Sequence, residues 1–161
     1  KVVYVAANDG MLHAFNASTG KELWAFVPQA VMPNLYKLAD KNYSHQYFVD
    51  GSPVIADVKV SGAWKTILVG GLNKGGKAYY ALDVTNPSAP VPLWEYTHTH
   101  LGYTYGNPVV TKNAAGDWVV AFGSGYNNSG LGYLFVLDAY TGVPKFPVKR
   151  EDGAIWTRDD R

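Results

Sequence analysis

The residues best equipped for chemistry are few and scattered. Gly71-Leu72-Asn73-Lys74-Gly75-Gly76-Lys77-Ala78 comes within one residue of the phosphate-binding pattern G-x-x-x-x-G-K-[ST]. Ala78 stands where a magnesium-holding hydroxyl is required. The run that follows, Tyr79-Tyr80-Ala81-Leu82-Asp83-Val84, reads as a strand, whereas a phosphate cradle needs a helix N-terminus. A hairpin turn explains these glycines better. Of the 4 histidines, His98 and His100 would point to one face of a strand as a metal pair, but spacing fixes no third ligand. His45 lies near Asp50, and the expected role is a buried His–Asp or His–backbone hydrogen bond that shapes the loop. No G-x-S-x-G elbow occurs for a serine nucleophile. With no cysteine, disulfides, thiolate ligands and thiol nucleophiles are excluded. Asn8-Asp9-Gly10, Asp50-Gly51 and Asp152-Gly153 read as tight turns, and nothing brings Asp9 and Asp50 together as an acid–base pair. The N-x-[ST] triplets at Asn16, Asn42 and Asn127 are expected by chance. No catalytic, cofactor-binding or metal-ligating residue is expected in this chain.

The elements that carry these residues are mostly strands. In 161 residues, 14 Lys plus Arg meet 13 Asp plus Glu, so the net charge of +1 supplies no nucleic-acid footprint. Aromatics make up 14%, with 12 Tyr and 5 Trp, and large rings supply much of the expected core. No apolar run approaches the length that spans a membrane, and no leader peptide precedes Val2. The abrupt start and the charged end, Thr157 to Arg161, suggest a piece of something longer. Short Val/Ile/Tyr/Phe/Trp runs bounded by Gly, Asn, Asp and Pro predict strands joined by tight turns. Only Pro33–Asp40 reads as a short helix, near 34–40, with Asn34 as its N-cap.

Internal repetition decides the architecture. Asn16, Asp83 and Asp138 head three similar turn segments, Asn16-Ala17-Ser18-Thr19-Gly20, Asp83-Val84-Thr85-Asn86-Pro87 and Asp138-Ala139-Tyr140-Thr141-Gly142. Pro53 and Pro108 repeat at 55 residues, as do Asp83 and Asp138, and Trp64 and Trp118 repeat at 54. A closing aromatic follows each turn: Trp24, Trp94 and Phe146. The copies predict strands at Val2–Asn8, Met11–Asn16 and Lys21–Pro28, then Pro53–Val60, Trp64–Leu72, Lys77–Thr85 and Pro92–His98. The last set is Asn107–Asn113, Asp117–Gly125, Tyr133–Ala139 and Val143–Arg150. This is an all-β chain forming a partial β-propeller: two four-stranded antiparallel blades and three strands of another. Its single domain divides into a blade at 1–28, a helical insertion at 29–51, and blades at 52–98 and 107–150. Small residues ending the second run of each copy (Ala6-Ala7, Gly70-Gly71, Gly123-Ser124-Gly125) are expected to let neighbouring sheets approach. The closing rings are expected to pack between blades.

Asn8-Asp9-Gly10-Met11-Leu12-His13, with Thr19-Gly20-Lys21-Glu22-Leu23-Trp24, has the shape of quinoprotein-like propeller repeats. More particular are Tyr43-Ser44-His45, Val49-Asp50-Gly51-Ser52-Pro53, Leu82-Asp83 followed by Trp94, Gly125-Tyr126 and Leu137-Asp138. In this order they resemble the C-terminal propeller of the PilY1/PilC family of type IV pilus proteins, over roughly residues 2 to 142. The resemblance implies a calcium-dependent pilus biogenesis factor and tip-associated adhesin. Such a protein is exported to the periplasm, outer membrane or cell surface at the pilus tip. It would act in assembly, twitching motility and attachment by binding pilin or minor-pilin subunits and a host-surface receptor. It would not insert in the membrane. The family's EF-hand-like calcium loop is expected downstream of these blades, since no segment here supplies its ligand spacing. The Tyr103–Asn107 and Tyr126–Ser129 loops suit an interaction surface, because Tyr offers large contact area at low entropic cost. Two other readings follow from the same repeats. One is a quinone-cofactor dehydrogenase fragment, which here lacks the usual vicinal cysteines. The other is an outer-membrane assembly scaffold.

Overall fold

A computed structural model describes residues 1–128 and 130–145, together with the backbone of 149–150. Three antiparallel sheets follow one another along the chain. The first holds β1 (Val2–Ala6), β2 (Leu12–Asn16) and β3 (Glu22–Phe26). A 3-10 helix, Met32–Ala39, comes next. The second sheet is β4 (Val54–Val60), β5 (Ala63–Gly71), β6 (Tyr79–Asp83) and β7 (Val91–Tyr96). The third is β8 (Val109–Lys112), β9 (Trp118–Gly123), β10 (Tyr133–Asp138) and β11 (Lys149–Arg150). Each sheet is ordered as it is connected, a meander, and the three are successive blades of a partial β-propeller.

The middle blade shows why these sequences make blades. Every residue of β6 is buried, because strand alternation sends Leu82 and Tyr80 to one side and Ala81 and Tyr79 to the other. Tyr80, Leu82, Leu68 and Leu72 meet Leu12 of the first blade, together with Phe48 and Val49 of the insertion. Tyr79, Ala81, Ile67 and Val69 meet Val120, Phe122, Phe135 and Leu137 of the third. A strand covered on both faces needs a near-continuous apolar run. Complete burial of each Leu or Val stabilises the blade stack by roughly 1.5–3 kcal/mol.

Indole rings seal both joints. Trp24 lies opposite Ala14 and Trp94 opposite Ala81, each two residues before its turn-heading Asn16 or Asp83. The longer sequence gap before Trp94 is absorbed in the 84–90 turn. Trp24 Nε1–H donates to Pro87 O at 2.8 Å, and Trp94 Nε1–H donates to Ala139 O at 3.2 Å. Each ring thus reaches the turn after the third strand of the next blade. Gly142 has a φ of +71°, and a Cβ there would fall 2.5 Å from Trp94 Cγ. Phe146 lies outside the described residues.

Two local expectations need correction. The helix is 3-10 and begins at Met32, with Val31 rather than Asn34 at its cap position. Asn34 lies inside the first turn, donating its N–H to Val31 O at 3.0 Å, since Pro33 is placed where a missing N–H is tolerated. Asn8-Asp9-Gly10 makes the expected tight turn, with Gly10 N–H donating to Ala7 O at 3.3 Å, inside a 7–11 connection whose ends are joined by Ala7 N–H donating to Met11 O at 3.0 Å. Gly70, Gly71 and Gly123 do not let neighbouring sheets approach, whereas Gly125 admits a loop backbone from the neighbouring segment. A Cβ on Gly70 would meet the cross-strand Tyr80 ring at 2.4 Å, one on Gly71 would meet Thr104 O of a loop at 2.7 Å, and Gly123 is uncrowded.

Candidate interaction surface

Antiparallel meanders place the chain's longer connections at one end of the blades. The 27–53 and 97–108 crossovers and the 72–78 and 124–132 loops meet there. Their backbones are pinned to one another. Gly102 N–H donates to Ser124 O at 2.6 Å, Tyr103 N–H to Tyr126 O at 2.7 Å, and Tyr126 N–H back to Tyr103 O at 3.1 Å. Gly125 makes this approach possible: its φ is +72°, and a Cβ would fall 2.2 Å from Tyr103 O. Thr104, buried between the blades, accepts from Leu72 N–H at 2.8 Å and donates to Ala78 O at 3.1 Å. Tyr79 Oη–H donates to Gly106 O at 2.7 Å, and burial pushes its pKa up to about 12. It therefore stays a donor at any physiological pH.

The insertion is tied down in the same way. Phe48 N–H donates to Asn8 Oδ1 at 3.0 Å, and Asn73 Nδ2 donates to Asp50 O at 3.2 Å. Gly51 packs on Gly71 O and Gly75 on Phe48 O, too closely for any side chain. Gly10, with φ +96°, lies directly beneath Leu35 of the helix. On this fixed frame stand Tyr36, Tyr43, Tyr47, Tyr105 and Tyr126, all exposed, Tyr126 at 73%. Lys74 Nζ lies 4.6 Å above the Tyr47 ring, while Lys77 Nζ lies 5.6 Å above Tyr103 and donates to Asn127 O at 2.8 Å. The result is a rigid, weakly basic, tyrosine-rich surface.

His45 does not bond Asp50. It is exposed and, among the described residues, meets only the edge of Tyr47, at 4.8 Å between centroids, while Asn73 is what pins the Asp50 segment. Tyr43, also exposed, accepts Gln46 N–H on its hydroxyl at 3.2 Å. His98 and His100 lie beyond the end of β7. His98 Nδ1 accepts His100 N–H at 3.1 Å, and the His100 ring stacks on Tyr133 at 4.3 Å. Burial, then the neighbouring His100, lowers the His98 pKa. Among the described residues no group of three or more His, Cys, Asp or Glu is placed to hold a metal.

The remaining motif residues hold turns and blade joints. His13 is clasped between Glu22 Oε1 at 2.6 Å and Asp9 Oδ2 at 2.9 Å, and Asp9 Oδ1 also accepts Met11 N–H at 3.0 Å. Asn16, Asp83 and Asp138 each accept backbone N–H groups two or three residues on, at 2.9–3.1 Å. These are the same Asx turn made three times. Asp83 also reaches across a blade joint, accepting Tyr140 Oη–H at 2.9 Å beside Lys65 at 3.1 Å. Burial raises its pKa, yet the donors of Thr85, Lys65 and Tyr140 outweigh burial and bring it down to about 2. The motifs single out neither Thr104 nor Tyr140. A small polar residue inside the aromatic run Tyr103-Thr104-Tyr105 was the available signal for the first; for the second there was none.

A family model for the PilY1 beta-propeller domain matches residues 1–145. The chain belongs to that family. A type IV pilus biogenesis factor PilY1 homolog of Xylella fastidiosa is 47% identical over 155 residues, 92% of this chain and 13% of the relative. The type IV pilus biogenesis factor PilY1 of Pseudomonas aeruginosa strain UCBPP-PA14 is 44% identical over 160 residues, 94% of this chain and 14% of the relative. The crystal structure of the Pseudomonas aeruginosa PilY1 C-terminal domain superposes with a TM-score of 0.77 at 39% identity, covering 95% of this chain and 31% of the other. The chain therefore spans about an eighth of the PilY1 relatives it matches, and its three sheets are part of a PilY1 propeller. These relatives are named as biogenesis factors rather than as enzymes.

Proposed function

We propose that this chain is the non-enzymatic binding part of a type IV pilus biogenesis factor, exported to the periplasm, outer membrane or cell surface at the pilus tip. It acts in pilus assembly, twitching motility and surface attachment by holding pilin or minor-pilin subunits and a host-surface receptor. The observation that carries this reading is the tyrosine surface. Five exposed phenols stand there, Tyr105 and Tyr126 on loops joined by cross-blade backbone hydrogen bonds and Tyr36, Tyr43 and Tyr47 on an insertion tied down at Phe48 and Asp50, so contact area is offered with little loop ordering on binding. Catalysis finds no comparable support, because the clustered ionisable groups are occupied in turns and blade joints. No helix among the described residues is long and apolar enough to cross a membrane. Calcium is proposed for the whole protein on family resemblance, and no step is assigned to it here, since the described side chains form no cradle for it.

The test uses full-length protein in its own cell, with Tyr105→Ala and Tyr126→Ala combined. Both side chains are exposed, so the protein should be made and exported normally. Pull-down of pilin subunits, surface pili and twitching zones should all fall together. Normal piliation and pilin capture by the double variant would refute this surface.

A further inference from the structure

The opposite end of the blades carries a second surface that the tyrosine loops do not explain. Trp64 lies near the start of β5 and Trp118 begins β9, in consecutive blades. Their rings meet edge to face at 6.2 Å, and Trp64 is 61% exposed. Lys112 Nζ braces Trp118 from 5.1 Å. Trp118 also walls a cleft of about 260 Å³ between the β4–β5 and β8–β9 hairpins, with Ser61, Lys59, Asp117, Tyr140 and Thr141 around it. An indole exposed this far contributes little to the core, and the two rings, inclined at 67° to one another, form an angled apolar platform.

The charges around the cleft cancel. Lys145 Nζ lies 3.5 Å from Asp117 Oδ2 and 3.3 Å from Asp138 Oδ2, and Lys59 adds a second cation. Asp138 Oδ1 is taken by Tyr140 and Thr141 N–H, and the Tyr140 hydroxyl by Asp83. What remains without a partner among the described residues is Asp117 Oδ1, the Ser61 hydroxyl and the Lys59 ammonium, beside an aromatic wall. A strongly anionic or cationic ligand finds no excess of opposite charge. A flat apolar ring finds polar groups that it would strip of water. A ligand with an apolar face for the indole and hydroxyls for the rim satisfies both. The volume lies below that of drug-sized pockets and fits a ring-sized unit of a longer chain.

We propose that the Trp64–Trp118 platform and the adjoining Asp117/Ser61 cleft form a binding site for neutral carbohydrate. One sugar ring stacks on Trp118, its hydroxyls bond Asp117 and Ser61, and the next ring of the chain runs over Trp64.

The experiment titrates purified full-length protein with maltoheptaose and with the neutral hexamer of N-acetylglucosamine, followed by calorimetry and tryptophan fluorescence. A heparin hexasaccharide serves as the anionic comparison. At least one neutral oligosaccharide should bind more tightly than heparin, and Trp64→Ala should weaken that binding by about tenfold or more. Ser61→Gly removes the hydroxyl at a residue whose φ is already +48°, so it keeps the fold while binding weakens severalfold. Both variants should leave pilin capture unchanged, which separates this site from the tyrosine surface. Failure of both neutral probes to bind, preference for heparin, or unchanged binding in Trp64→Ala or in Ser61→Gly would overturn the proposal.

Discussion

Removing the Trp94 indole tests the joint between the second and third blades directly. The ring is half-buried, packs against Gly142, and donates to the carbonyl of Ala139, a residue fully buried in the joint. Trp94→Ala loses the packed ring and opens a cavity, for which Trp truncations cost about 3–5 kcal/mol. Within that, about 1 kcal/mol belongs to the hydrogen bond, which Trp94→Phe removes while keeping an aromatic ring. Gly142→Ala attacks the same contact from the other side: it places a side chain at φ +71° and drives Cβ into the indole. The left-handed backbone alone costs about 1–2 kcal/mol. The contacts with Trp94 Cγ at 2.5 Å and Cδ1 at 2.9 Å disappear once Trp94 is alanine, leaving only the 2.8 Å approach to Cβ, so the two changes must be non-additive. The assay is urea unfolding, by circular dichroism, of a propeller domain cut to the extent of the solved relative. Trp94→Ala costing under about 0.5 kcal/mol at unchanged m, or strict additivity with Gly142→Ala, would refute the sealing role of the ring.

Acid should weaken the same joint. Asp83 has its carboxyl held at about 2 in the fold against an ordinary 3.8, so its contribution is complete above about pH 4 and drains as pH falls towards 2. A shift of that size corresponds to about 2 kcal/mol. Tyr140→Phe, which deletes one of the donors, should cost about 1–2 kcal/mol at neutral pH and flatten this acid limb in denaturant midpoints. His13 works in the opposite direction. The hydrogen bond to Glu22 raises its pKa, burial lowers it, and Asp9 raises it further, leaving it above the ordinary value. Its stabilisation is complete below about pH 6.5 and is lost as pH rises through the folded value. The melting temperature should therefore fall from mildly acid to mildly alkaline solution, and His13→Gln should abolish that slope; an equal slope in the variant would count against the clasp. Tyr80 is buried with no partner for its hydroxyl among the described residues. Tyr80→Phe should be neutral or stabilising by up to about 1 kcal/mol, and a clear loss of stability would reveal a missed partner.

Much of the fold was legible because a blade is a local object. Its strands pair with their sequence neighbours, so alternation, turn residues and a repeat near 55 residues mark each meander. The Asx turns at Asn16, Asp83 and Asp138 announce themselves three times over. The closing tryptophans were legible because an aromatic follows each turn, and their constant place opposite Ala14 and Ala81 emerged only in the paired strands. The helix cap and the His45 bond were misread from local pattern, because Pro33 and Asn73 decide those places.

Composition and repetition alone determined that this chain is a set of meanders, with no cysteine chemistry and no nucleotide loop. Only the tertiary structure decided which residues share a surface. Tyr103 and Tyr126 are neighbours because Gly102 and Gly125 let two backbones touch, and Asp83 meets Tyr140 across 57 residues of chain. Trp64 and Trp118 stand together because the second and third blades pack side by side, although their strand registers place them at different positions. Contacts between blades depend on the angle and spacing of whole sheets, which packing of Tyr79, Phe122 and Phe135 sets collectively. No single stretch of sequence records that geometry, so the end bearing tyrosines and the end bearing tryptophans become visible only once the blades are side by side.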